Sequence, residues 1–193
     1  MTGRTHDTAA LTALVVVLVV HPLPSFTLAT ALVAILANQI GGIVPDIDQP
    51  TAPFWRNLPV GRFFGSFTDK LLGGHRFLTH SLLGIGIFAY LANWLLMVLR
   101  PIMPHIDIHL VWWAFMIGLL SHLVMDSFTK EGVPWLLPIP IKFGFPPIKA
   151  LRITTDKAIE KFVIFPGLIM VNILLCSHYY PQIVHFIHTR VGA

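Results

Sequence analysis

The chain has 193 residues, 55% of them hydrophobic and 11% charged, with a net charge of +4 and a mean hydropathy of +0.74. That balance excludes an ordinary soluble domain and points to an integral membrane protein. The basic excess contains no dense Lys/Arg run, so nucleic acid is not its expected partner, and the single cysteine, Cys176, excludes an intrachain disulfide.

Five apolar runs follow one another along the chain. Backbone groups in lipid must be satisfied within their own segment, so each run predicts a helix. The first, from about Thr8 to Val20, is short, and only partial insertion is expected of it. With Arg4 before it and Ala29-Thr30-Ala31 after it, this start resembles a cleavable signal peptide. The next run follows almost at once, which suits a membrane hairpin better, with Pro22 and Pro24 at its turn. The second run covers Thr27 to Val44, the third Ser81 to Leu99 without a charge, the fourth Ile108 to Met125 and the fifth Phe162 to Tyr179. The expected fold is an all-α integral membrane protein of four to five transmembrane helices, one domain over residues 1–193.

Two proline-rich polar stretches, Pro45 to His80 and Asp126 to Lys161, separate the later runs. Trp135, Leu136, Leu137 and Phe143 make the second stretch apolar enough to pack on the helices or dip into the interface. Alternate threading places the N-terminus and both stretches on one side of a bilayer. Every Lys and Arg except Arg100 and Arg190 falls on that side, so the positive-inside rule makes it cytoplasmic. A multi-pass protein of a bacterial or archaeal inner membrane is expected.

The same threading gathers His, Asp and Glu at that face. His6 precedes the first run, Asp46 and Asp48 follow the second, and His75 and His80 precede the third. His122 and Asp126 close the fourth, and Glu160 opens the fifth. His122 and Asp126 stand four residues apart on one helical face and can share an ion. Asp46 and Asp48, after Pro45, can bind or bridge neighbouring ions. Mixed imidazole and carboxylate donors suit Zn²⁺, Mn²⁺ or Fe²⁺, with zinc the first choice. Each residue also has a plainer reading. The aspartates can form a turn or cap a helix, and His6, His75 and His80 can be interfacial polar groups. His122 with Asp126 can be a hydrogen-bonded pair, and Arg76 a topology residue. His21, His105, His109, His178, His185 and His188 fall on the opposite side and read as interfacial, with His185 and His188 an adventitious metal pair.

The strings VPDID (Val44–Asp48), GHRFLTHSL (Gly74–Leu82), GLLSHLVMD (Gly118–Asp126) and GVPWLLP (Gly132–Pro138), with Glu160 and Phe162, together resemble the YdjM-like family. Members of that family are described as inner-membrane, metal-dependent hydrolases. The family is in turn similar to zinc-dependent phospholipase C and S1/P1-type nucleases, helical enzymes that hold zinc with His, Asp and Glu and cleave phosphoesters. Their His-x-x-x-Asp pair resembles His122 and Asp126. Their later His-x-x-x-Glu pair is half present, since Asp156 stands four residues before Glu160. The resemblance therefore implies two metal ions rather than three.

The resulting expectation is a membrane-bound hydrolase in which two zinc ions activate water against a phosphoester, with a phospholipid as candidate substrate. Asp46 or Asp48 would bridge the ions or act as general base. His6, His75, His80, His122, Asp126 and Glu160 would be ligands, and Arg76 would bind a phosphoryl oxygen. Two other readings stay open. An ion-transport protein would need polar residues across the membrane, and Asn38, Gln39, Asn93 and Asn172 are the weak candidates, read as helix-packing residues. A non-catalytic scaffold with a structural metal would need four ligands, fewer than are present.

Overall fold

The computed structural model describes residues 1–21, 26–72, 76–139 and 141–191. In chain order the helices are α1 (Gly3–Val20), α2 (Leu28–Ile43), α3 (Pro53–Arg56), α4 (Gly61–Leu71), α5 (Leu82–Leu99), α6 (Ile108–Ser127), α7 (Phe165–His178) and α8 (Tyr180–Val191). A 3-10 turn, Val44–Asp48, extends α2, and a π-helical turn, Glu160–Ile164, leads into α7. Five of the resulting helical segments are long and apolar enough to cross a membrane: Gly3–Val20, Leu28–Asp48, Leu82–Ile102, Ile108–Ser127 and Glu160–His178.

Local chemistry sets the ends. Thr27 caps α2 by accepting from the Thr30 amide, and Ser81 caps α5 by accepting from the Gly84 amide, each at 3.1 Å. Asp107 accepts from the amides of His109 and Leu110 at the start of α6. The first segment corrects the expectation of a short helix. It begins at Gly3 rather than Thr8 and runs for 18 residues, because the polar Thr5 and His6 are buried by packing instead of facing water.

Helices α1, α2 and α6 form the kernel. The α2–α6 seam is backbone against backbone. A Cβ added to Gly118 would stand 2.0 Å from the carbonyl oxygen of Asn38, and one added to Gly41 would stand 2.1 Å from that of Phe115. Small residues at the seam permit this approach, and in lipid such close fit replaces the hydrophobic driving force. Side-chain amides tie the helices together, the buried Asn38 at this seam and two half-buried ones against α1. Asn38 Nδ2 donates to the Ala114 carbonyl at 3.1 Å, Gln39 Nε2 to that of Asp7 at 3.3 Å, and Asn172 Nδ2 to Thr12 Oγ1 at 2.6 Å. Each interhelical bond of this type contributes about 0.6 kcal/mol. These three amides are thus helix-packing groups, while Asn93 is exposed on α5.

Around the kernel, α5 leans on α6, with Trp112 Nε1 donating to the Ala89 carbonyl at 2.9 Å, and α7 leans on α1. Both present most of their surface outward. The stretch after α6 folds back onto the helices, as its apolar residues led one to expect. Val133 is fully buried, Trp135 Nε1 donates to Ser127 Oγ, and isolated bridges join Thr129 to Ile153 and Val133 to Phe143.

Candidate metal centre

One end of the kernel carries a cluster of buried polar side chains. His6 comes from the first turns of α1, Asp46 and Asp48 from the turn after α2, His80 from the entry to α5, and His122 and Asp126 from the end of α6. His6, Asp48, His80, His122 and Asp126 are each at most 1% exposed. Asp46 retains 16% exposure of its side chain, so the cluster meets its surroundings there.

Among the described residues, two groups of donors have ligand-capable atoms within 4.8 Å of one another: His6, His122 and Asp126, and Asp46, His80 and His122. His6 Nε2 lies 3.2 Å from Asp126 Oδ1, and His80 Nε2 lies 3.5 Å from Asp126 Oδ2. His122 Nε2 is 3.6 Å from Asp46 Oδ1 and 3.8 Å from Asp126 Oδ2, and His80 Nε2 is 3.9 Å from Asp46 Oδ1. Zinc–ligand bonds of about 2.0–2.1 Å in a tetrahedron put neighbouring donors about 3.4 Å apart. The observed spacings bracket that value. Asp126 faces His6 with one oxygen and His80 with the other, as a carboxylate shared by two ions would have to. The expectation gave the bridge to Asp46 or Asp48.

Groups behind the histidines fix their orientation. His122 Nδ1 lies 2.6 Å from the Gly42 carbonyl oxygen, which can only accept, so Nδ1 carries the proton and Nε2 keeps its lone pair. His80 Nδ1 lies 2.8 Å from Thr79 Oγ1, and the Thr79 hydroxyl donates in turn to Asp48 Oδ2. The Arg76 amide also donates to Asp48 Oδ2, at 3.0 Å. Asp48 therefore supports His80 from behind. Burial holds the His80 imidazole below its ordinary pKa, with Asp126 pulling the other way, so a neutral ring faces the cluster.

Among the described residues, both ring nitrogens of His6, and Nε2 of His122, are buried without a hydrogen-bond partner. The His6 and His122 rings stack in parallel, their centroids 3.7 Å apart. Bare imidazole nitrogens in a dry site normally cost on the order of 1–3 kcal/mol each. Facing carboxylates, they are a donor set of the kind that fits a divalent cation such as zinc.

Two cations already touch Asp126. The Met1 α-amino group bonds to Oδ1, and Arg76 Nη2 lies 2.6 Å from Oδ2. Arg76 is 6% exposed and adopts a left-handed backbone, with φ of 59°. Its Nη1 donates to Thr129 Oγ1 at 3.0 Å, while its Nε is buried without a partner. The residue expected to meet a phosphoryl group is thus engaged with a carboxylate of the site, with one donor left over.

Other expected ligands stand differently. Glu160 is buried but accepts from the Thr2 amide, Thr2 Oγ1 and Thr5 Oγ1 at Oε1, and from the Asp156 amide at Oε2. It belongs to neither donor group and anchors the start of α1. Asp156, four residues earlier, points its carboxylate at Lys161 on the surface, 3.0 Å away. His75 lies outside the described residues. Sequence reasoning passed over Asp7, whose Oδ1 is buried and without a hydrogen-bond partner among the described residues. Its one signal was position: it directly follows His6.

Residues 1–184 match the family model described as YdjM inner membrane protein. The chain is 25% identical over 180 residues to the "Uncharacterized protein YvsG" of Bacillus subtilis, covering 93% of this chain and 94% of that one. It is 34% identical over 109 residues to the "Inner membrane protein YdjM" of Escherichia coli and of Shigella flexneri, covering 54% of this chain and 48% of each relative. No solved structure matches.

Proposed function

Since this chain belongs to the YdjM inner membrane protein family, we propose that it is a membrane-embedded, metal-dependent hydrolase acting on a phosphoester. The observation that carries the reading is the set of bare, buried ring nitrogens of His6 and His122 opposite the carboxylates of Asp46 and Asp126. A positive centre between the groups would offset the cost of burying them, beyond what Met1 and Arg76 supply to Asp126 alone. Asp46, His80, His122 and Asp126 would hold one divalent ion, and His6 with the other oxygen of Asp126 would begin a second site. His122 offers a single lone pair, because its Nδ1–H is held by Gly42, so it can serve one ion only. Zinc is the first choice, with Mn²⁺ or Fe²⁺ also suited.

A bound ion would acidify a water and polarise the ester oxygen. The protein's own groups supply the rest. Asp46, which keeps some exposure, would take up a proton, and Asp7, next to His6 in the chain and also partly exposed, is a second candidate for that role. Arg76 Nε retains a donor for a developing negative charge. Asp48, through Thr79, holds His80 in its ligand orientation. The positive-inside bias supports a site facing the cytoplasm, at the level of lipid headgroups, which favours a phospholipid substrate.

The transport reading lacks support from polar groups along the spans, because Asn38, Gln39 and Asn172 are engaged in helix-to-helix hydrogen bonds. Elemental analysis of detergent-purified protein beside a His122→Ala, Asp126→Ala variant tests the proposal. One to two equivalents of zinc, manganese or iron, lost in a variant that keeps its helicity, is expected, followed by hydrolysis in a phosphoester and phospholipid screen. Absence of stoichiometric metal from protein purified without chelators would overturn it.

A further inference from the structure

Between the second and third spans lies α4, GRFFGSFTDKL, whose residues sort onto separate faces. At helical spacing, Gly61, Gly65 and Thr68 share one face, Phe63, Phe64, Phe67 and Leu71 a second, and Arg62, Ser66, Asp69 and Lys70 a third. The glycine face is the one that packs. A Cβ on Gly61 would stand 1.9 Å from the Trp55 carbonyl oxygen, and one on Gly65 would stand 2.8 Å from Pro50 Cα. The aromatic face is left bare: Phe63 is 68% exposed, Phe67 60% and Leu71 68%.

A helix built this way has an apolar side that none of the described residues covers and a basic side next to it. Leu58 and Val60 extend the bare surface, and Arg56, Arg62 and Lys70 outnumber Asp69 along it. The segment is tethered at both ends to helices that cross the membrane, Leu28–Asp48 before it and Leu82–Ile102 after it, so it cannot leave the bilayer surface. Apolar rings beside lysine and arginine are the composition of helices that lie in the headgroup region.

We propose that α4 is an interfacial docking helix, with its Phe63–Phe64–Phe67–Leu71 face sunk among acyl chains and its Arg62–Lys70 face on anionic phospholipid headgroups. It binds the leaflet on the side of the polar cluster. The inference stands whether or not that cluster is hydrolytic, because it rests on α4 alone. The docked helix also has a mechanical connection inward. The carbonyl oxygen of Ile47, between Asp46 and Asp48, accepts from Thr68 Oγ1 of α4 at 2.8 Å and from Trp55 Nε1 at 2.9 Å. The pose of α4 on lipid thereby sets the turn that carries both carboxylates.

The test uses the full chain in lipid nanodiscs, with Cys176→Ser removing the native thiol and an environment-sensitive fluorophore on Phe67→Cys, Leu71→Cys or Ser66→Cys. Quenching by brominated phosphatidylcholine reports acyl-chain contact and quenching by iodide reports water. Expected is lipid quenching at positions 67 and 71 and iodide quenching at 66. Arg62→Gln with Lys70→Gln should reduce lipid quenching at 67 in discs containing phosphatidylglycerol and leave it unchanged in pure phosphatidylcholine. Iodide access at 67 equal to that at 66 would overturn the proposal. So would shielding of 67 from both quenchers, which would mean that a second copy or another protein covers the face. Agreement between 67 and 71 guards against a local disturbance at either site.

Discussion

His122 donates its Nδ1–H to the carbonyl oxygen of Gly42 across 2.6 Å, at the point where α6 and α2 run backbone against backbone. The orientation of a candidate ligand is therefore tied to the spacing of two helices. Gly118→Ala places a methyl 2.0 Å from the Asn38 carbonyl oxygen and must move the helices apart. The expected outcome is a loss of about 1–3 kcal/mol in stability and a roughly 10–100-fold drop in metal affinity. Thermal melting and competition with a chromogenic chelator measure the two effects. Wild-type affinity in a destabilised Gly118→Ala protein would show that the Gly42 contact does not govern His122.

Thr79 passes the His80 Nδ1–H on to Asp48. Thr79→Val removes the hydroxyl at nearly constant volume and leaves Asp48 short of a donor, at a cost of about 1–3 kcal/mol. Metal affinity is expected to fall about 10–100-fold, with binding still detectable, whereas His80→Ala should remove one ion outright. Calorimetric titration of zinc into chelator-treated protein separates the outcomes. Equal losses in the two variants would mean that His80 is not itself a ligand.

Glu160 accepts hydrogen bonds at both oxygens and sits outside the donor groups. Glu160→Gln should therefore lower stability by about 1.5–3 kcal/mol, the scale of bonds to a charged acceptor, and leave metal stoichiometry unchanged. Elemental analysis decides the matter: loss of an ion on this substitution would restore Glu160 to the ligand set.

Asp7 is the acid that the sequence left unmarked. Asp7→Asn keeps the shape and removes the charge. If the carboxylate takes up a proton during hydrolysis, kcat on a phosphoester substrate should fall about 10²–10⁴-fold with metal content intact. A variant that keeps its rate, or one that loses its metal, would assign Asp7 to another role.

The spans were legible because an apolar run of sufficient length has few alternatives in lipid, and α2, α5, α6 and α7 begin and end close to where hydropathy places them. The start of α1 was hidden, since Arg4, His6 and Asp7 read as polar flank until the fold buries His6. Three helices escaped the reading, among them the single turn α3. α4 is short, and its mean hydropathy is diluted by Arg62, Asp69 and Lys70, while α8 follows α7 with scarcely a break. The convergence of His6, Asp46, His80, His122 and Asp126 was legible from threading alone. The pose of Asp126 between His6 and His80, and the supports from Gly42, Thr79 and Thr5, were not. Those depend on distances between segments tens of residues apart, such as Gly42 to His122 and Thr5 to Glu160.

The seam between α2 and α6 has a further effect on which changes the protein can accept. On α5 and α7 almost any apolar side chain should serve, because those helices bury little against their own chain. At Gly41 and Gly118 there is no room for a single methyl group, and at Gly42 one would press on the Ala10 side chain of α1, 3.1 Å away. Sequence drift in such a protein should be lopsided, rapid on the lipid-facing rim and nearly arrested along one narrow strip. The polar cluster lies at the end of that strip.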